Sequence, residues 1–125
     1  MARIDSGPAH VVDTGMVTAF MGFPIQLTTV VDQVRFRVML RMSSDPETDG
    51  VTVNSAYEDG ILVLDCVNFD NADGRGSSRP VLLGPTEKNA VFFHFKLWRF
   101  GQTDDHTVHY TFFSADKEAI GFQPA

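Results

Sequence analysis

The segment VFFHFKLWRF, residues 91–100, constrains the fold more than any other stretch of the chain. Read with a period of two, Val91, Phe93, Phe95 and Leu97 share one face, and Phe92, His94, Lys96 and Trp98 share the other. Such alternation describes an extended strand with one face buried and the other partly covered. On a helix, three phenylalanines within four positions would spread round the whole cylinder. The segment is therefore expected to be the central strand of a sheet.

Similar extended segments recur along the chain. Residues 34–42 alternate most cleanly, with Val34, Phe36, Val38, Leu40 and Met42 opposed to Arg35, Arg37, Met39 and Arg41. Residues 9–12, 14–21, 25–31, 51–57, 61–69, 81–83 and 108–114 read as further strands. Turn formers separate them, among them Gly22-Phe23-Pro24, Asp32-Gln33, Asp59-Gly60 and Gly84-Pro85. The dense apolar run 61–69 is expected inside a sheet, and 108–114 is expected to pair with 91–100 as a hairpin. Residues 43–50, 70–80 and 101–107 read as polar loops or turns. Residues 1–8 form a loose lead-in, and 115–125 a tail with one helical turn at 116–120. About eight short strands with turn signals roughly every ten residues predict a single all-β domain over residues 1–125. An open sheet would leave too many apolar faces wet. A two-layer antiparallel β-sandwich of jelly-roll or immunoglobulin-like type is therefore expected.

Composition narrows the function classes. Sixteen acidic residues against ten Lys and Arg give a net charge of −6, which argues against a general nucleic-acid or polyanion binder. Cys66 is the only cysteine and lies in an apolar run, so it fits a reducing compartment and an inert thiol. The opening MARIDSGPAH lacks the basic and apolar regions of a secretion signal, and no apolar run is long enough for a membrane helix. A cytoplasmic location without membrane contact is expected.

The stretch 64–84, LDCVNFDNADGRGSSRPVLLG, resembles a motif of a family of small bacterial domains of unknown function. In that family an Asn-Phe-x-Asn segment ends a strand, and a Gly-rich loop, a Pro-led short strand and a Gly follow. The matching positions are Asn68, Phe69, Asn71, Gly74, Gly76, Pro80 and Gly84, and His109-Tyr110-Thr111-Phe112 resembles the family's closing strand. The resemblance implies a compact bacterial β domain and carries no activity.

Candidate chemistry concentrates in three places. In the loop 70–80, Gly74 and Gly76 permit a concavity of backbone N–H groups, with Arg75 and Arg79 as forked donors beside Asp70, Asn71 and Asp73. That is an anion or small-ligand site, although the same residues also read as turn formers facing water. No Walker A lysine follows the glycines. The EF-hand template fails, because Phe69 and Pro80 would occupy its first and twelfth positions. A calcium site of another kind would need Asp45, Glu47 and Asp49 from a second loop beside Asp65, Asp70 and Asp73. On the strand 34–42, Arg35, Arg37 and Arg41 make a basic face. With Lys96 and Trp98 as neighbours it would suit single-stranded nucleic acid; otherwise the arginines pair with acids on adjacent strands. Finally, His94 and His109 are placed opposite each other in the last hairpin, where Asp104 or Asp105 would have to complete a metal site. The plainer reading is cross-strand packing of imidazoles.

No G-x-S-x-G, H-E-x-x-H, C-x-x-C or G-x-G-x-x-G pattern is present. The chain is thus expected to be non-enzymatic, with no catalytic residue, cofactor or metal: a binding or assembly module. Eleven Phe and Trp98 are expected to overfill so small an interior, and an exposed apolar patch would then seek a second copy or another subunit of a bacterial complex. The alternatives are a ligand-binding protein or enzyme using the 70–80 loop, and a nucleic-acid binder using the arginine face.

Overall fold

The computed structural model describes residues 10–68, 75–77, 79–98 and 105–118, with backbone alone at 75–77, 98 and 105. Among the described residues nine strands run in order: β1 (His10–Phe20), β2 (Ile25–Val31), β3 (Val34–Ser43), β4 (Thr52–Glu58), β5 (Ile61–Val67), β6 (Arg75–Ser77), β7 (Val81–Pro85), β8 (Asn89–Trp98) and β9 (Asp105–Asp116). They form two sheets. Sheet A has the order β1-β9-β8, with β6 and β7 also on β8, and sheet B has the order β2-β3-β5-β4. The expected two-layer all-β architecture is the one that forms.

β8 is central, as its sequence requires. It pairs with β9 along its whole length, so β6 and β7 share its other edge. Val91, Phe93, Phe95 and Leu97 are buried, while Lys96 is exposed and Phe92 and His94 are half-buried. Phe93 packs against Phe95, Phe112 and Tyr110, with the Phe112 ring edge-on at 5.0 Å. From sheet B, Leu27, Val38, Leu40, Met42, Leu62, Leu64 and Cys66 close over these rings to form one core. Cys66 is fully buried, and burial first, then the charge of Asp65, pushes its thiol up to about 12.

Four features depart from expectation. Segments 9–12 and 14–21 join as one strand, β1, because a bulge between Val11 and Asp13 carries the alternation through without a break in pairing. Residues 75–77, expected in a loop, instead add a short edge strand opposite Trp98, Leu97 and Lys96. Edge pairing is a long-range event that turn propensity does not report. Val34 stays exposed, so the inward face of β3 starts at Phe36.

The pair β3–β5 is parallel, whereas antiparallel pairing was expected throughout. After β3 the chain steps past the end of β5, enters β4, and returns through the Asp59-Gly60 hairpin. The last strand thus arrives beside β3 in the same direction. Asn68, at the end of β5, fastens this step. Its side chain accepts from the Asp45 N–H at 2.8 Å and donates to the carbonyls of Asp45, Thr48 and Gly50 at 3.0–3.1 Å. Its own N–H reaches the Ser43 carbonyl. The Asn68 backbone is left-handed, with φ 62°, a conformation Asn tolerates better than most side chains. Asp45 adds an Asx turn by accepting from Glu47 N–H and Thr48 Oγ1.

The lead-in at 1–8, Asp70 to Gly74, the turn at 101–104 and the end of the tail lie outside the described residues. No helix among the described residues is long and apolar enough to cross a membrane.

Asn68→Ala strands one N–H and three carbonyls in a half-buried loop and strains the backbone. It is expected to cost about 2–4 kcal/mol in urea unfolding. Asn68→Gly keeps the backbone conformation and should lose about 1 kcal/mol less than Asn68→Ala. Gly15 faces Tyr110 across the β1–β9 pair, and a Cβ there would lie 2.6 Å from the phenol oxygen and 2.9 Å from Cζ. Gly15→Ala must move that ring off the strand, with an expected loss of about 1–3 kcal/mol.

Candidate interaction surface

The outer face of sheet A is built from register rows that cross the strands. One row is apolar: Val11 on β1 stands opposite Phe113 on β9, Phe113 opposite Phe92 on β8, and Phe92 opposite Leu82 on β7. The Phe92 and Phe113 rings stack at 5.3 Å with an interplanar angle of 12°. The next row holds Thr14, Thr111 and His94, and the one after holds Met16, His109 and Lys96, with Ser77 of β6 at the same level. Thr18, Thr107, Trp98 and Arg75 share the last full row. The face owes its existence to period-two alternation, which sends the alternate set of each strand away from the phenylalanine core.

Hydrogen bonding sets the proton on one imidazole. The single Thr14 hydroxyl proton goes to the Tyr110 carbonyl at 2.8 Å, and the same oxygen lies 3.1 Å from His109 Nε2. With that proton committed, the Thr14 oxygen accepts from His109 Nε2. His94 lies diagonally from His109 rather than opposite it; Thr111 is its partner, and Lys96 is the partner of His109. Burial, then the charges of Lys96 and His109, holds the His94 imidazole below its ordinary value. No group of three His, Cys, Asp or Glu able to hold a metal occurs among the described residues. Asp104 lies outside them. His106 is buried on the core side of β9.

The expected arginine face divides. Arg35, Arg37 and Arg41 project from the outside of sheet B, whereas Lys96 projects from the outside of sheet A, so the sandwich separates them. Trp98 belongs to β8 in sheet A. No groove with these arginines on one wall and Lys96 on the other can form. Arg41 binds Asp65 through two bonds of 2.7 and 3.0 Å and reaches Glu58 at 3.5 Å, the cross-strand pairing of arginine with acids. Arg35 and Arg37 are exposed and hold no ion pair among the described residues.

In the 70–80 loop, Asp70, Asn71 and Asp73 lie outside the described residues. Arg75 occupies a strand position opposite Trp98, and Arg79 is exposed where the chain breaks between β6 and β7. Arg75 therefore belongs to sheet A rather than to a free loop. In the calcium reading, the Asp45 carboxylate is spent on its own turn and that of Asp65 on Arg41.

A shallow cleft of about 310 Å³ is lined by Asp32, Gln33, Glu87 and Lys88. Its Asp32 carboxylate accepts from Thr86 Oγ1 at 2.7 Å and Asn89 Nδ2 at 3.0 Å, which holds its carboxyl below the usual range. These bonds tie the β2–β3 turn to the β7–β8 turn and so join the two sheets.

Alternation identified Lys96 and His94 as outward, but it missed Thr14, Met16 and the apolar row. The bulge at Val11–Asp13 hides the parity of β1. Adjacent Val11 and Val12 are the available hint, since two neighbouring apolar residues in a strand mark either a bulge or a strand covered on both faces.

Residues 3–115 match the model of a domain of unknown function, DUF6864. No curated protein and no solved structure matches the chain.

His94 makes stability depend on pH. Because its folded value lies below the ordinary 6.5, the unfolded chain takes up a proton that the folded chain refuses. Stability is full above 6.5 and falls as pH drops from there through the lowered folded value. In urea titrations across this range, His94→Gln is expected to flatten that decline. Asp32 and Asp45, whose carboxyls are held below 3.8, act in a separate and more acidic window.

Proposed function

We propose, from the premise that the chain belongs to the DUF6864 family of domains of unknown function, that it is a non-enzymatic assembly module whose β1 edge pairs with a second copy of itself. The carrying observation is the outer edge of β1, with which no other described strand pairs. This strand of 11 residues is the outermost of sheet A, well beyond the common strand length of about 5–6 residues. Natural edges are blunted by short strands, proline, lysine or bulges. β1 is bulged near its start, between Val11 and Asp13, but from Thr14 to Phe20 it runs unbroken with no Pro, Lys or Arg, and it exposes Met16 and Phe20 at 61% and 48%.

The other edges are better guarded. On the far side of sheet A the edge is split at Arg79-Pro80 and bulged between Leu82 and Gly84. β4 is short and carries Asn54, Ser55 and Glu58. β2 is also short, at seven residues.

Antiparallel self-pairing satisfies both copies with the same groups, as a two-fold interface must. A two-fold axis at Met16 sets Asp13 opposite Ala19 and Val12 opposite Phe20, so like charges do not meet. The single cysteine, Cys66, is free and buried, which supports a reducing, cytoplasmic setting. The family resemblance supports a bacterial one.

Light scattering of the purified chain should report twice 13.8 kDa at high concentration. Met16→Lys with Phe20→Lys should shift it to the single mass with unchanged melting, and β1 amides should exchange faster on dilution. A wild-type chain that stays at the single mass at every concentration removes the reading.

A further inference from the structure

We propose that the outer face of sheet A around His94, Lys96 and His109 docks a short segment of a partner protein that is acidic at one end and apolar at the other. This goes beyond self-pairing at the β1 edge. It uses the broad surface of the sheet, which an edge-to-edge dimer leaves uncovered.

Charge distribution selects the partner. The chain carries −6, yet no described carboxylate falls in the His94 and Lys96 rows. Asp32 and Glu87 line the end cleft, and Asp45, Glu47 and Asp49 sit in the crossover loop. Glu58 and Asp65 belong to sheet B and Asp59 to its β4–β5 turn, Asp116 and Glu118 lie beyond the apolar row, and Asp105 stands opposite Phe20, two rows past Lys96. Asp13 follows the bulge and pairs with inward-facing Phe112. A lysine beside two imidazoles, with no described acid in the same rows of an otherwise acidic protein, favours anionic groups at that patch and disfavours them elsewhere. Lys96 is exposed and holds no ion pair, and His94 has no hydrogen-bond partner, among the described residues. Both are available to a carboxylate.

The rows also set the spacing of the partner's groups. Four residues of β8 separate Phe92 from Lys96, or about 13 Å of extended chain. An extended peptide lying along the strands would therefore bring an apolar side chain to Phe92, Phe113 and Leu82 when its carboxylates reach Lys96 and His94. Single-stranded nucleic acid fits less well. It needs free ring faces for base stacking, whereas Phe92 and Phe113 spend theirs on each other.

Docking is linked to protons. Facing His94 are Lys96 on its own strand and His109 and Thr111 on β9. These cations and partial burial disfavour its charged form, and a docked carboxylate would reverse that. Affinity should rise as pH falls below 6.5.

A random-peptide library panned on the wild-type chain tests the proposal. Recovered peptides should be enriched in Asp and Glu, with apolar residues about four positions away. The tightest, remade as a free peptide, should bind Lys96→Glu at least about tenfold more weakly and Lys96→Gln to an intermediate degree. His94→Gln should flatten its pH dependence. Melting curves of the variants check that each is folded. The proposal is overturned if no peptide is recovered, if those recovered show no acidic enrichment, if folded Lys96→Glu binds them equally, or if oligodeoxythymidine binds this face in preference. The outcome is independent of the mass measurement, which tests self-pairing alone.

Discussion

The contact on which the structure rests is the sealing of Phe93, Phe95 and Phe112 between two sheets. All three are fully buried, and Phe93 touches both of the others and Tyr110. Truncating one such ring costs about 3–5 kcal/mol, a large share of the stability of a domain this size. The same rings set the register. Slipping β8 by one residue would bring His94 and Lys96 inside and put the phenylalanines in water, so the pairing with β9 tolerates no alternative. Every outward row follows from that choice.

Polar side chains close the sandwich where the phenylalanines do not reach. Asn68 holds the crossover that lets β5 lie parallel to β3. Asp32, Thr86 and Asn89 join the two sheets at one end, and Lys117 adds a bond to the Thr86 carbonyl. Tyr57 of β4 reaches across to the carbonyls of Leu82 and Leu83 in β7, although its ring is mostly exposed. Each closure spends the polar groups it uses. For that reason the Asp45 and Asp32 carboxylates serve the fold rather than a ligand.

Among the described residues, the fold leaves two surfaces of sheet A uncommitted: the long outer edge of β1, and a broad face where Lys96 and two imidazoles lie beside stacked phenylalanines. The two proposals divide these surfaces. The backbone of β1 would serve a second copy, and the side-chain rows of β8 and β9 a different partner.

Alternation is local, so it was legible. Each side chain's face follows from the next along the backbone, and the buried sets of β8 and, from Phe36 onward, of β3 could be read directly. The two positive φ angles of Asp59 and Gly60 were likewise open to reading, because a tight turn draws on adjacent residues, and the antiparallel pairing of β8 with β9 was expected from two neighbouring apolar strands. Asn68 stood out through a family resemblance, though its role in pinning the crossover did not. Tertiary pairing alone decided which strands are neighbours. It made Arg75–Ser77 an edge strand, carried β1 through its bulge, turned β5 parallel to β3, and put Arg35 and Lys96 on opposite outsides of the sandwich. Side-chain parity states that two residues point outward, but not from which sheet. Sheet membership depends on contacts between residues far apart in the chain, and those are settled only when the apolar faces meet.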